Sequence, residues 1–171
     1  MILKTIGALL IMFSCSSVGF IEKYKHTFHI KELDNFIQCM DIFAVNICYS
    51  LEDIGSAISK VSAHATDLNR EIFEKIAQEF SKSNGVPISE IWKNVLEKTN
   101  NGVYKKDDIE ILKRFGDLLG NGNIGVQEEN IQGLKKNLTM SVESLKNNEA
   151  KMSALSKIGI YAGIVIVVLM I

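Results

Sequence analysis

A glycine-rich run is the first place where the residue types of this chain could do chemistry. Residues 120–125 read GNGNIG and match the pattern G-x-G-x-x-G literally. A dinucleotide site of that kind needs a strand before the glycines, a helix after them and an acidic residue about twenty positions further on. Here the residues before the run repeat with helical spacing, so we interpret the run as a turn between two helices.

The histidines and cysteines do not have the spacing of a metal site or of a disulfide framework. His26 and His29 are three residues apart and His64 is distant, whereas a zinc or iron site needs more ligands in a defined geometry. Cys39 and Cys48 lie nine residues apart on a predicted helix, which puts them on opposite faces at about 100° per residue. We therefore expect no metal, no cofactor and no bridge between these two cysteines.

Nothing in the sequence brings together an acid, a base and a nucleophile. The 20 acidic and 19 basic residues give a formal net charge of −1, which is not the basic footprint of a nucleic-acid-binding protein. No serine or threonine stands in a nucleophile-elbow context. We expect a protein without catalytic activity and without a nucleic-acid partner, whose function lies in binding or in mechanics.

The elements that would position these groups begin with two uncharged stretches, residues 5–21 and 158–171. The first has 17 residues, which is near the lower limit for a transmembrane helix. The second has 14 residues, or about 21 Å as a helix against a hydrocarbon core of about 30 Å, and the Lys157 amine could extend it to the headgroups. We predict one membrane segment over residues 1–22 and another over residues 157–171.

Both membrane assignments have alternatives. The first stretch also has features of a secretory signal, and Ser14-Cys15 suggests a lipoprotein cleavage site. The second stretch could instead be a re-entrant or interfacial helix, or a tail bound to a partner. Within it, Gly159 and Gly163 form a small-xxx-small pair that would let another helix approach closely, so these two glycines are candidates for membrane helix packing.

Lysines next to the two stretches predict how the chain is oriented. Lys23, Lys25 and Lys31 follow the first stretch, and Lys146, Lys151 and Lys157 precede the second. Only Lys4 lies on the other side of the first stretch. Positively charged flanks mark the cytoplasmic side of a membrane. We therefore expect a cytoplasmic domain over residues 23–156, with both termini of the chain on the far side.

Apolar residues in this domain recur at intervals of three and four, which is the spacing of amphipathic helices. The pattern predicts helices over about 30–51, 54–61, 67–83, 89–99 and 107–119, and a last helix from about residue 127. Leu51 ends the inward-facing stripe of the first helix, and Ser89 and Asp107 are the expected N-caps of the fourth and fifth. No run alternates like a strand, so we predict an all-α six-helix bundle whose last helix continues into the C-terminal membrane segment.

Two glycines stand near the end of the fifth predicted helix. A glycine inside a helix costs about 1 kcal/mol relative to alanine, so Gly116 suggests that another helix packs closely over it. Gly120 is expected to end the helix as its C′ residue. The helix over Gly116 could belong to this domain or to a partner, and the sequence leaves that choice open.

The same region resembles a known family. Residues 110–120 read EILKRFGDLLG and are followed by Gln127 and Ile131, and this block resembles the signature segment of the stage III sporulation protein AB family. The similarity spans the whole chain, and the other positions that carry it are Lys4, Ile6, Gly7, Gly19, Phe20, Trp92 and Leu96. The sequence departs from the family at Asn123, where an acidic residue is usual, and at Asp53-Ile54, where the family often has a Pro-Leu pair.

The resemblance implies a role in endospore-forming bacteria. Members of the family are made in the mother cell, lie in the membrane around the forespore and form part of a secretion-like channel complex between the two cells. Their soluble domain is similar to that of the platform proteins of type II secretion and type IV pili, which couple a cytoplasmic ATPase to the membrane apparatus. The expected partners are therefore other proteins of the channel complex, a secretion-type ATPase and membrane lipid, and a homo-oligomer is left open.

On this interpretation the turn between the last two helices is the candidate protein interface. Its residues are Phe115, Gly116, Leu119, Gly120, Asn123 and Gln127. The alternative function is that of an exported, lipid-anchored helical domain that binds a partner or acts as a sensor outside the cell. That alternative requires cleavage near Cys15 and reverses the topology.

Overall fold

The computed structural model describes residues 2–83, 85–119 and 128–149, with side chains from residue 23 onward. These residues form six α-helices and a short π-helical segment, and no strand occurs among them. The elements are α1 (Ile2–Ala44), the π-helical segment (Val45–Tyr49), α2 (Ile54–His64), α3 (Asp67–Lys82), α4 (Ile88–Thr99), α5 (Lys106–Leu118) and α6 (128–149). For these residues the prediction of an all-α fold with six helices is confirmed.

The first helix differs from its prediction at both ends. The apolar pattern predicts a helix over about 30–51, separate from residues 1–22, but α1 runs without a break for 43 residues and stops at Ala44. Residues 22–29 contain neither proline nor glycine, so nothing interrupts the backbone hydrogen bonds between the uncharged stretch and the bundle. The predicted boundaries of this helix are therefore wrong.

In the part of the chain that the structure describes, no helix is both long enough and apolar enough to cross a membrane. The C-terminal segment 157–171, with Gly159 and Gly163, lies outside the described residues, and so does its junction with the last helix. The continuity predicted at that junction stays a prediction.

The residues at the helix starts show which N-caps follow from the local sequence and which depend on tertiary contacts. Asp53 caps α2, because its Oδ1 accepts a hydrogen bond from the Ser56 amide at 3.0 Å. Pro87 rather than Ser89 precedes α4, so that cap prediction is wrong. At α5 the carboxylate of Asp108, not of Asp107, accepts the Lys105 amide at 3.1 Å, because Asp108 is buried against α1.

Successive helices run in opposite directions. Each of α2, α3 and α4 packs on the next helix along the chain, and α6 runs antiparallel to α1. Four polar contacts mark its path, joining Tyr49 to Glu128, Asp41 to Lys135, Asp34 to Lys146 and Thr27 to Glu149. The bundle thus has a distal end, where α1, α3 and α5 end, and a proximal end, where α3 and α5 begin and α1 extends towards its N-terminus.

Aromatic rings fill the centre of the bundle. Five of them pack with centroids 5.3–6.1 Å apart: Phe36, Phe43, Phe73, Trp92 and Phe115. The Trp92 indole also donates to the Leu112 carbonyl oxygen at 2.8 Å. A Cβ added at Gly116 would lie 2.1 Å from Trp92 Cδ1, so only glycine fits there. Of the two alternatives for Gly116, packing within this domain is the one that the structure shows.

Candidate protein interface

Three residues of the interface predicted from the sequence lie inside the bundle. Phe115, Gly116 and Leu119 are buried against other helices, so a partner cannot reach their side chains on the folded chain. Gly120, Asn123 and Gln127 lie outside the described residues. The predicted docking turn therefore stays a prediction, while its three described members have a packing role.

The exposed apolar residues point to a different surface at the same end of the bundle. Among the described residues, six large apolar side chains are exposed: Tyr24, Val45, Tyr49, Leu51, Val86 and Met140. Val45, Tyr49 and Leu51 are 53%, 69% and 69% exposed and stand within seven consecutive residues. We call these three the distal apolar patch, and Val86 lies on another connection of the distal end. Exposed apolar residues that cluster in this way are typical of binding surfaces.

The backbone of this segment explains why these side chains point outward. After Ala44 the chain forms a π-helical turn, which is rare and often found at functional sites. Asn46 Nδ2 donates to the Ile42 carbonyl oxygen at 2.7 Å. Leu51 then has a φ of +52°, a left-handed conformation that costs a leucine on the order of 1 kcal/mol or more. The inward stripe predicted for this helix is thus confirmed as far as Ile47, which is buried, and is wrong only at Leu51.

Hydrogen bonds hold this unusual segment in place. The Ser50 amide donates to the Val45 carbonyl at 3.1 Å, and the Glu52 amide donates to the Asn46 carbonyl at 3.0 Å. The Tyr49 hydroxyl donates to Glu128 Oε1 on α6 at 2.6 Å. That bond, together with the Glu128 charge, raises the pKa of the Tyr49 hydroxyl. The patch is thus an ordered surface with defined contacts on its polar side.

The polar residues beside the patch are mostly acidic. Glu52 and Asp53 follow it directly, and Glu128 and Glu129 begin α6 next to Tyr49. Lys60 on α2 forms a hydrogen-bonded ion pair with Glu52 and lowers the pKa of that carboxyl. A partner that covered the patch would therefore match it best with an apolar centre and a basic rim.

The proximal end contains a buried polar network instead. It consists of His29 and Glu32 on α1, Asn69 on α3, Tyr104 before α5 and Asp108 on α5. His29 Nε2 lies 2.8 Å from Asp108 Oδ2, and Glu32 Oε2 accepts the Asn69 amide at 3.1 Å. The Tyr104 hydroxyl bonds to Asn69 Oδ1. Burial raises the pKa of Glu32 and of Tyr104.

This proximal polar network has a structural role, because its hydrogen bonds join α1 to α3 and to α5. The Glu32 carboxylate reaches from α1 to the N-terminus of α3, and the Asp108 carboxylate in the first turn of α5 reaches His29 on α1. In the described residues, no group of three or more His, Cys, Asp or Glu side chains is arranged to hold a metal ion. Burial raises the pKa of the Cys39 thiol to about 12, so that sulfur stays protonated.

Sequence reasoning missed both regions, although part of the signal was present. Val45 and Tyr49 fall off the predicted inward stripe, which indicates exposure for both. The π-helical turn and the left-handed Leu51 have no sequence signal of that kind. The members of the proximal polar network are far apart in the sequence, and only the packing of α1 on α3 and α5 brings them together.

Comparisons with known proteins were made for the whole chain. The family model described as stage III sporulation protein AB matches residues 4–171. A solved structure titled "Stage III sporulation protein AB" is 18% identical and superimposes with a TM-score of 0.67. That match covers 72% of this chain and 98% of the other, and at this identity it shows a shared fold. No curated protein matches significantly.

Proposed function

Because the chain belongs to the stage III sporulation protein AB family, which gives it a role in sporulation, we propose that it is a non-catalytic platform subunit. It is part of a secretion-like channel complex between mother cell and forespore, and it docks a secretion-type ATPase. Its uncharged stretches anchor it in the mother-cell membrane around the forespore, with the bundle in the cytoplasm and both termini on the far side. Other channel proteins and further copies of this chain are the remaining partners.

The observation that carries the proposal is the position of the distal apolar patch. It lies at the end of the bundle opposite to the one from which α1 extends towards the uncharged stretch 5–21. A chain held in a membrane by that stretch would present the patch furthest from the lipid. That is where a soluble motor protein has room to bind.

The first helix gives this arrangement a mechanical basis. α1 has 43 residues, which corresponds to about 65 Å of continuous helix. It passes through the proximal polar network and ends at the π-helical segment beside the patch. A force applied at the patch would therefore be passed along one unbroken helix to the N-terminal segment.

The described residues on either side of the docking turn predicted from the sequence, Leu119 and Glu128, lie at the distal end. The segment with Gly120, Asn123 and Gln127 joins Leu119 to Glu128, and the Glu128 side chain bonds to Tyr49 of the patch. We therefore include these three residues in the proposed docking region. Phe115, Gly116 and Leu119 support it from inside the bundle.

Site-specific crosslinking in sporulating cells tests the proposal. A photo-crosslinking amino acid replaces Leu51 in the full chain, and mass spectrometry identifies what it captures. The matched control carries the same amino acid in place of Met140, which is 59% exposed on α6 and lies away from the distal end. We expect the Leu51 position to capture a secretion-type ATPase and the Met140 position not to do so.

Two results would overturn the proposal. Equal capture of the ATPase from both positions would mean that the distal end is not the docking surface. Capture of extracytoplasmic proteins only, with a mature N-terminus at Cys15, would favour an exported, lipid-anchored domain and remove the platform role.

A further inference from the structure

An aromatic pair, the exposed Tyr24 and the half-buried Phe28, lies on α1 at the proximal end of the bundle. The Tyr24 ring is 67% exposed, and it stacks on the Phe28 ring one turn further on, with centroids 6.3 Å apart and planes 10° apart. Thr27, which precedes Phe28, donates to Glu149 Oε1 at 3.1 Å. Among the described residues this is the contact nearest the N-terminus that joins α1 to α6. Tyr24 therefore lies beyond the last contact that the described residues of these two helices form.

Two lysines flank Tyr24 on the same turns of the helix. Lys23 and Lys25 are both exposed, and within the described residues neither forms an ion pair. By contrast, two other lysines near this end have acidic partners, as Lys31 bonds to Asp67 and Lys146 to Asp34 at 2.7 Å each. An aromatic ring between two unpaired ammonium groups is suited to a surface that offers both apolar and anionic atoms.

The distance along the helix identifies that surface. The uncharged stretch ends at Ile21, and at 1.5 Å per residue Tyr24 lies about 5 Å and Phe28 about 10 Å beyond it. The headgroup layer on each side of a bilayer is roughly 5–7 Å thick. If the stretch ends at the hydrocarbon boundary, Tyr24 lies within the headgroups. The Cα of Phe28 then lies about 3–5 Å beyond them, and its side chain, which leans towards the helix N-terminus, reaches back to their outer edge.

We propose that Tyr24 and Phe28, with Lys23 and Lys25, form a contact with the headgroup layer of a phospholipid membrane. The rings bury their apolar faces at the interface while the Tyr24 hydroxyl stays hydrated, and the two ammonium groups bind lipid phosphates. The contact fixes how deep α1 lies and thereby the distance of the bundle from the membrane. It rests on the membrane attachment in the proposed function and on no property of the ATPase.

Fluorescence quenching by brominated lipid tests this contact. The full chain carrying Tyr24→Trp is reconstituted in phosphatidylcholine and phosphatidylglycerol vesicles, with bromine on the acyl chains near the headgroup. The only natural tryptophan, Trp92, is buried in the bundle core, so wild-type emission serves as the unquenched background. Gln38→Trp is the matched control, because Gln38 is exposed on α1 and lies about 21 Å further along the helix.

We expect bromine to remove most of the emission that Tyr24→Trp adds and none of the emission that Gln38→Trp adds. If the protein floats with the vesicles but the Tyr24→Trp emission is not quenched, the headgroup contact is wrong and the membrane anchor stands. If the protein does not float with the vesicles, the membrane attachment in the proposed function fails together with this contact. Because Tyr24 is exposed, the substitution leaves the bundle core unchanged.

Discussion

The two ends of the bundle differ in how they arrange polar and apolar side chains. At the proximal end, polar groups are buried and bonded to one another, as in the His29–Asp108 pair and the bond from the Asn69 amide to Glu32. At the distal end, apolar groups are exposed on an ordered backbone, as in Tyr49 and Leu51. Burying a polar group without a hydrogen-bond partner destabilises the fold, whereas covering an exposed apolar group lowers the free energy.

This difference indicates that the proximal end stabilises the fold and that the distal end is available for binding. Directional hydrogen bonds at the proximal end fix the rotation and height of α1 relative to α3 and α5. The distal apolar patch contributes nothing comparable to the fold and leaves apolar area available for a partner. Substitutions at the proximal end should therefore act on stability, and substitutions in the patch should act on binding.

The largest expected effect comes from breaking the proximal pair. Asp108→Ala leaves His29 buried without a partner and removes the acceptor of the Lys105 amide. We expect it to lower the free energy of unfolding by about 2–4 kcal/mol, because a buried ring nitrogen loses its hydrogen-bond partner and α5 loses part of its capping box, as measured by chemical denaturation. The matched control on the same helix is Asp117→Ala, whose ion pair with Lys93 is exposed, and its cost should stay below about 1 kcal/mol. Equal losses of unfolding free energy in the two variants would contradict a stabilising role for the His29–Asp108 pair.

A second substitution tests the core between the two ends. Gly116→Ala places a Cβ 2.1 Å from Trp92 Cδ1, so the indole must shift and strain its bond to the Leu112 carbonyl. We expect a loss of about 2–3 kcal/mol from overpacking, seen as a lower denaturation midpoint and altered Trp92 fluorescence. Gly133→Ala on α6 is the control, because nothing lies within 4 Å of its added Cβ. That variant should gain up to about 1 kcal/mol of helix stability, and a similar loss in both would contradict the packing role of Gly116.

The raised pKa of Glu32 predicts a pH dependence that is specific to the proximal end. Burial makes the folded state hold the Glu32 proton more tightly than the unfolded state does. This carboxyl therefore destabilises the fold as pH rises from its ordinary pKa to its raised one, by at most about 1.4 kcal/mol per pH unit. Glu32→Gln should remove that loss, so its unfolding free energy relative to wild type should increase with pH over this window. A difference in unfolding free energy that stays constant with pH would show that folding does not raise the pKa of Glu32.

The helical class could be predicted from the sequence because it rests on local patterns. Apolar residues at intervals of three and four place α2 to α5 to within a few residues, and the Phe-Gly pair at 115–116 marks a close approach. The approach itself becomes specific only when Trp92 is known to lie over Gly116. Local pattern thus gives the elements and the residues that must be small, and packing gives their partners.

The candidate sites could not be predicted because they depend on non-local or non-repeating features. Glu32 and Asp108 look like ordinary surface carboxylates until α1 is packed on the N-termini of α3 and α5. Leu51 continues an apolar stripe in the sequence, and only the extra residue of the π-helical turn and its left-handed φ turn it outward. At residues 22–29 the uncharged stretch gives way to charged sequence, which suggests a boundary. The helix continues there because no proline or glycine interrupts it.

The smallest effect on stability, and the sharpest test of the division between the ends, is expected at Leu51. Leu51→Gly removes an exposed apolar side chain and relieves a φ of +52°, which glycine adopts readily. Its own flexibility in the unfolded chain offsets part of that gain, so the unfolding free energy should change by less than about 1 kcal/mol. Copurification of the proposed ATPase partner should nevertheless fall markedly, because the patch loses one of its three exposed apolar side chains. A variant that loses stability and keeps its partner would reverse the roles assigned to the two ends, since Leu51 would then be part of the fold rather than part of a surface.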